Sequence, residues 1–448
     1  MSAAPFNLHS VMKKLLCAAF LLFGANFFFA AESAPAPTLT LDDCLRLSAE
    51  KHPSLDAARA GVVAATAAVG EARAPFYPQV DLSAGYHRWQ RRAFLPSGFV
   101  LPGGQPPELI GPLDDWNGGL VSRVTLYDFG ERRAGLEAAR ARRAGAEAEV
   151  ATTQADVRLM VEIGFYAVAG AQDLRSVAAK NLARAETHQH LAELRRQAGA
   201  VPQADVLRTL AEVADARLQL ISAESRVRVA LGHLNTAMGR AADTPLAIAT
   251  TASSPPPPGE AELAAAAERA LLRRPEIQAS EQRTVAARAA VNAARAARTP
   301  KLRADGSFGW RDTAWVPETR EWQAGLSIDL PIFDAGSRVH RVARAKADMA
   351  REEASLENRR LQIRDDVWSA GAELERAWAA IAASEASVRA NEESLRVVQE
   401  RYENGAAVIS DLLDTQTSLA RAEASLAAAR WNYMSARAAF ERATGGAG

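Results

Sequence analysis

Two carboxylates close to a glycine turn are the residues best placed to do chemistry in this chain. Asp411 and Asp414 are three residues apart in a predicted helix that begins shortly after Gly405. Residues three apart share one helix face, so both carboxylates point the same way and together could attract cations. The simpler interpretation is that Asp411 stabilises the positive end of its helix dipole.

Other reactive side chains are scattered, and they do not indicate an enzyme. His188 and His190 are two residues apart, so on a helix they do not share a face, and we expect solvated histidines rather than metal ligands. Cys44 lies in an amphipathic first helix and is expected to be a small buried side chain. The chain has no phosphate-binding loop, HExxH motif or nucleophile elbow. We therefore expect no catalytic residue, cofactor or metal.

The N-terminal residues predict export. Lys13 and Lys14 precede an apolar run from Leu15 to Phe29, and small residues follow, which is typical of a signal peptide over residues 1–33. A membrane anchor is the alternative, but the run is shorter than the ~20 residues that a spanning helix needs. The formal net charge is zero, which does not favour nucleic acid as a partner.

The chain is internally duplicated. The segment from Pro53 to Tyr86 is echoed by Pro275 to Phe308, and later matches recur with a shorter offset. Each copy reads helix, strand, loop, strand, very long helix, turn and helix. We predict a first repeat at 34–240, a proline-rich linker at 241–259 and a second repeat at 260–448, which is a duplicated half-molecule rather than a solenoid.

Four segments alternate apolar and polar residues with the period of a β-strand: 79–90, 116–127, 301–312 and 321–332. A soluble half-buried sheet would alternate in the same way. Tryptophans cluster around these segments, as they do at membrane interfaces: Trp89, Trp116, Trp310, Trp315 and Trp322. Four strands cannot close a membrane barrel, so spanning strands would require several copies of the chain.

The predicted helices are too long for a compact domain. They cover 130–198, 203–238, 336–404 and 410–444, and each of the two longer ones would extend roughly 100 Å at 1.5 Å per residue. Apolar residues recur every three or four positions, which predicts antiparallel coiled-coil hairpins. A periplasmic coiled-coil scaffold without a pore would explain the hairpins but not the strands.

In combination these features resemble the TolC family of outer-membrane channels. The resemblance covers nearly the whole exported chain, and it is carried by LTLDDCLRLSAEKHP, YPQVDLSAGY, the strand endings LYDFG and IFDAG, and RYENGAAVISDLLDTQTSLARAEASL at 401–426. It implies a mainly α protein with a membrane β-barrel portion. Three chains with four strands each would form a twelve-stranded barrel in outer-membrane lipid, and their α-hairpins would form a periplasmic tunnel.

The resemblance also implies a function and sites. The homotrimer would be the passive exit duct of a tripartite efflux pump or type I secretion system, docked to a periplasmic adaptor and an inner-membrane transporter. Asp411 and Asp414 would line the periplasmic aperture, and Tyr402 would be a gate contact, although Ala407 replaces the arginine that shares this lock in some relatives. The hairpin tips would meet the adaptor through Gly199, Val201, Gly405 and Val408. The cargo is not indicated.

Overall fold

The computed structural model describes residues 38–88, 114–249 and 256–446. The expected signal peptide, the last two residues of the first predicted strand and part of the proline-rich linker lie outside the described residues.

Both halves of the duplication have the same order of elements. The first comprises β1 (Thr38–Leu39), α1 (Leu41–Lys51), α2 (Pro53–Arg73), β2 (Gln79–Arg88), β3 (Asp114–Tyr127), α3 (Glu131–Gln197) and α4 (Gln203–Ala237). The second comprises β4 (Ala247–Ile248), α5 (Glu260–Arg273), α6 (Pro275–Ala296), β5 (Lys301–Asp312), β6 (Arg320–Asp329), α7 (Ser337–Glu403) and α8 (Ile409–Ala443). The helices α3 and α7 both have 67 residues, and α4 and α8 both have 35.

The same hydrogen-bonding arrangement joins the sheet to the long helix in each half. The Asp128 carboxylate accepts hydrogen bonds from the backbone amides of Gly130 and Arg132, at 3.2 and 3.0 Å, and an ion pair with the Arg132 side chain closes the corner. Asp334 accepts from the Arg338 amide in the second half. These aspartates therefore satisfy amides that the start of α3 or α7 would otherwise leave unpaired.

Four strands form one antiparallel sheet in the order β2-β3-β5-β6. At its centre Gly119 of β3 lies opposite Gly309 of β5, where the two backbones come very close. Neither β2 nor β6 has a second neighbour among the described residues, so both outer edges of the sheet are open. The last strand was expected to extend to residue 332 but ends at Asp329, because Pro331 has no amide hydrogen to donate to the ladder.

The long helices form one layer of two antiparallel hairpins. Helix α3 packs against α4, α7 packs against α8, and α3 joins the hairpins by packing against α8. The spacing of apolar residues predicts seams that include Thr209 in α4 and Thr415 in α8. Thr209 is buried, but in α8 Gln416 is buried and Thr415 only partly so. None of the helices in the described ranges combines the length and the apolar character needed to cross a membrane.

Ion pairs tie the hairpins together at the level where the short helices pack. Arg274 pairs with Glu276 and Asp366, and Arg442 pairs with Glu276 and Asp156. Burial alone would raise the pKa of Glu276, but the hydrogen bonds from the two arginines outweigh it and lower the pKa to about 2. This network links α3, α6, α7 and α8, which belong to both repeats.

Candidate functional site

The two hairpin tips have the same backbone construction. Gly199 and Gly405 both have φ of 72°, a left-handed conformation that glycine adopts without a steric penalty. The next amides, of Ala200 and Ala406, donate to the carbonyls of Arg195 and Arg401 at 2.9 and 2.7 Å. This pattern is a Schellman motif, which ends the long helix and turns the chain sharply into the shorter one.

The side chains at the tips differ in exposure. Val408 precedes α8 in an extended conformation and is 60% exposed. Val201 of the first tip is only partly exposed, and the residue of that tip that matches Val408 is Pro202, which is exposed. Of the two valines expected to contact the adaptor, Val408 is therefore the more exposed.

Tyr402 lies inside the tip of the second hairpin and contacts the first. Its side chain is 5% exposed and packs with Leu395, Ile409 and Leu412. The Arg195 guanidinium lies 4.7 Å from the centre of the tyrosine ring and donates to the Tyr402 carbonyl at 3.1 Å. Arg195 thus joins the end of α3 to the end of α7. The two residues are 207 positions apart in sequence, and the sequence around Tyr402 did not indicate this contact.

Asp411 and Asp414 lie on one exposed face in the first two turns of α8. Neither carboxylate forms a hydrogen bond or ion pair with a described residue, so Asp411 caps no amide. The matching residues of α4 are Asp205 and Arg208, whose side chains are 3.8 Å apart. The first repeat therefore neutralises its acidic position, whereas the second leaves two free carboxylates.

A further carboxylate from the other hairpin lies near this pair. Burial, Asp215 and then Asp414 raise the pKa of Glu212, which is a residue of α4. The effect of Asp414 on Glu212 places acidic side chains of α4 and α8 close enough to repel one another. Nothing in the spacing of the sequence links Glu212 to Asp414, because the two residues meet only through the packing of the hairpins.

The other candidate side chains are placed apart from this surface. His190 is exposed, but His188 is buried, so the prediction of two solvated histidines was wrong for His188. Burial and the nearby Arg184 lower the pKa of His188. Cys44 is fully buried, as expected, and burial raises the pKa of its thiol to about 11. Within the described ranges no three His, Cys, Asp or Glu side chains are grouped as a metal site.

Three polar links cross the contact between α3 and α8. Arg184 donates to both carboxylate oxygens of Glu423, at 3.2 and 2.6 Å. The indole nitrogen of Trp431 donates to Asp173 at 2.6 Å, and the ring lies against Gly170. The third link is the pair between Arg442 and Asp156, at 2.7 Å. The two hairpins of one chain are therefore joined along most of their length.

Comparison with known proteins identifies the relatives of this chain. The sequence profile of the family described as "outer membrane efflux protein" matches residues 44–240 and 266–446, which is both repeats. Protein CyaE of Bordetella pertussis is 30% identical over 404 residues, covering 86% of this chain and 80% of CyaE. The pyoverdine export outer membrane protein OpmQ of Pseudomonas aeruginosa is 27% identical over 417 residues, covering 91% of this chain and 85% of OpmQ.

The fold is shared with solved channels. The outer membrane protein VceC of Vibrio cholerae superimposes with a TM-score of 0.76 at 20% identity, covering 91% of this chain and 96% of VceC. The expected fold class is thus confirmed, and the interpretation as a scaffold without a pore is set aside. The chain serves in the outer membrane, with its helical tunnel in the periplasm, as an exit duct for efflux or type I secretion. It belongs to the outer membrane efflux protein family, whose members are the TolC-type channels.

Proposed function

We propose that three copies of the chain assemble into one tunnel in which each copy supplies four strands and two α-hairpins. The observation that carries this proposal is the pair of open sheet edges at β2 and β6. Unpaired backbone groups cost several kcal/mol each in lipid, so the edge strand β6 of one copy must pair with β2 of the next. Three copies close a ring of twelve strands, a size well within the known range of membrane barrels.

The assembled tunnel acts as a passive conduit with no catalytic step of its own. At its periplasmic entrance, threefold symmetry turns Asp411 and Asp414 into two rings of carboxylates, and Glu212 adds a third acidic position beside them. Tyr402, which contacts Arg195, is a gate contact near these carboxylates at the periplasmic entrance. Acidic rings of this kind favour the passage of cations over anions.

The hairpin tips dock the periplasmic adaptor, which connects the duct to an inner-membrane transporter that supplies the energy. This assignment rests on the turns at Gly199 and Gly405 and on the exposed side chain of Val408. An apolar group exposed at the end of a long rod is a good contact for another protein. The cargo is set by the transporter and adaptor.

The assembly is tested by extracting the protein from outer membranes in mild detergent. We expect a heat-modifiable band at three times the mass of the chain, and chemical cross-linking that stops at the trimer. Because unpaired edge strands are costly in lipid, a folded, membrane-inserted monomer is not expected, and recovery of monomer alone in outer-membrane extracts would contradict the proposal.

The aperture is tested by replacing both acidic residues in the variant Asp411→Asn/Asp414→Asn. Because neither carboxylate has a hydrogen-bond or ion-pair partner among the described residues, their loss should leave the free energy of unfolding nearly unchanged. Cation selectivity in planar bilayers, and block by multivalent cations, should both weaken. Single-channel recordings at symmetric and asymmetric salt measure the two effects.

The matched control is Asp205→Asn, which removes the equivalent carboxylate of the first repeat. That residue faces Arg208, so its replacement should alter selectivity little. If Asp411 serves only the helix terminus, the single variant Asp411→Asn would instead cost about 1 kcal/mol or less of stability, with no change in selectivity. Recordings of the double variant that match the original protein in selectivity and block would refute the aperture.

A further inference from the structure

The two faces of the sheet differ in chemistry. On one face Leu82, Leu120, Phe308 and Trp322 lie side by side across the four strands. Ile328 lies on the same face, near the end of the sheet that adjoins the long helices, and is 72% exposed. Large apolar side chains that remain exposed across a whole sheet suit contact with lipid.

The polar face of the sheet continues into the helices. Lys301 of β5 lies opposite Asp329 on this face, and it forms an ion pair with Glu131 at the start of α3. The Glu131 side of α3 is therefore the polar side. Arg140 is nine residues, or two and a half turns, further along the helix, so it lies on the opposite side, below the apolar face of the sheet.

The alignment of α6 with α7 places two more cations at this level. Arg288 of α6 and Glu353 of α7 form an ion pair at 3.6 Å, which fixes the alignment of the two antiparallel helices. Seven residues nearer the sheet on each helix, which is two turns on the same face, are Arg295 and Lys346. A cation thus replaces the acidic partner at the level closer to the sheet.

Both repeats carry these cations at matching positions. Arg140 and Lys346 are each the tenth residue of their helix, and Arg73 and Arg295 are each the twenty-first residue of theirs. All four side chains are exposed, and none forms an ion pair or hydrogen bond with another described residue. We call these four residues the basic belt: Arg73, Arg140, Arg295 and Lys346.

The charges around Arg140 leave this part of α3 basic. Glu137 is an exposed acidic residue on the same side of the helix, but Arg133 and Arg140 lie about one turn from it on either side. Arg133 is also exposed. The nearby acid therefore offsets only part of the positive charge.

The basic belt lies directly below the apolar face of the sheet. Arg73 ends α2, and Arg295 is the last residue but one of α6. Arg140 and Lys346 are about 14 Å along their helices from the ends that adjoin the sheet, at 1.5 Å per residue. The headgroup layer of a bilayer is about 5–7 Å thick on each side of the hydrocarbon, and long basic side chains can extend toward it.

We propose that the basic belt binds the headgroups of anionic phospholipids in the periplasmic leaflet of the outer membrane. The phosphate of such a lipid accepts charge-assisted hydrogen bonds from arginine and lysine, and the attraction is strongest within a Debye length of the surface. In the trimer the belt surrounds the tunnel and fixes the depth of the barrel in the membrane. This inference rests on the proposed function, which places the apolar face of the sheet in lipid.

The test removes three cations of the belt in the full chain, in the variant Arg140→Gln/Arg295→Gln/Lys346→Gln. Glutamine has a helix propensity close to that of arginine and lysine, so the exposed helix faces should fold normally. The trimer is purified in mild detergent and titrated with phosphatidylglycerol or with phosphatidylcholine of the same acyl chains. Native mass spectrometry gives the apparent Kd for each lipid.

The matched control removes three arginines from the polar side of the same layer, in the variant Arg142→Gln/Arg341→Gln/Arg344→Gln. These side chains are exposed and line one groove of about 390 Å³ together with Glu131. The control therefore loses the same charge close to the same level, but away from lipid. A second variant, Arg140→Lys/Arg295→Lys/Lys346→Arg, keeps the charge of the belt.

We expect the original trimer to bind phosphatidylglycerol at least tenfold more tightly than phosphatidylcholine. Replacement of the belt by glutamine should weaken phosphatidylglycerol binding at least tenfold, whereas the control and the charge-preserving variant should stay within threefold of the original. The inference would be overturned if the original protein did not prefer the anionic lipid, or if the glutamine variant kept its affinity. An equal loss in the control or in the charge-preserving variant would also overturn it.

Heat-modifiable migration of the same preparations separates this inference from the proposed function. A trimer that shows no preference for phosphatidylglycerol would refute the lipid-binding belt and leave the proposed duct intact. The absence of any trimer of the original protein would refute the proposed function itself.

Discussion

Replacing Val408 by aspartate is expected to abolish transport while the trimer and its membrane insertion stay intact. Val408 is exposed at the tip of the second hairpin, so its replacement removes little packing among the described residues. A charge at this position would have to be desolvated when the adaptor docks, which is costly without a counter-charge. Transport in cells that carry the complete pump measures the effect, and heat-modifiable migration checks assembly.

Val408→Thr is the control, because threonine keeps the shape of valine without adding charge, and it should retain most transport. A charge at the valine of the first tip, in the variant Val201→Asp, should also reduce transport, but with some loss of stability because Val201 is partly buried. Normal transport by both aspartate variants would show that the tips do not dock the adaptor.

Gly119→Ala is expected to prevent most of the protein from reaching the heat-modifiable trimer. A Cβ atom at this position would lie 2.5 Å from the Phe308 carbonyl oxygen and 2.6 Å from the Gly309 Cα. Both contacts are with backbone, so β3 and β5 would have to separate at the centre of the sheet. Overpacking of this kind costs about 1–3 kcal/mol in each copy, and the trimer contains three copies. The yield of folded trimer in outer membranes is the measurement.

The neighbouring glycine provides a matched control. A Cβ atom at Gly118 would meet only the Ser83 carbonyl oxygen, at 4.0 Å, so Gly118→Ala should assemble normally. Equal yields for the two alanine variants would mean that the close approach of β3 and β5 is not needed for assembly.

Features that depend on local spacing were predictable from the sequence. The alternation in 301–312 gave the bounds of β5, and the repeated glycines marked the turns between the long helices. Asp411 and Asp414 were expected on one helix face, and the structure places them there in solvent. Cys44 was expected to be buried, because its helix is amphipathic, and it is.

Features that depend on packing between distant segments were not predictable. The heptad reading of α8 assumed one neighbouring helix, but α8 packs against both α7 and α3, which widens its buried face and buries Gln416 completely. The contact of Arg195 with Tyr402 and the pairing of Glu423 with Arg184 have the same origin. In a single sequence the charged residues of such contacts are visible, but nothing in the spacing shows which distant residue each one contacts.

The pairing of β3 with β5 has a consequence for the order of folding. Asp115 and Arg311, which form a bidentate ion pair across these strands, are 196 residues apart in sequence. The helical hairpins close through short turns and make local contacts, so they form quickly, whereas a pairing at this separation must first overcome a large loop-closure entropy. We therefore expect β3 and β5 to pair only after both hairpins have formed. On this order of events the chain would first be a water-compatible set of helical hairpins with an incomplete sheet, and it would become compatible with lipid only when β3 and β5 pair.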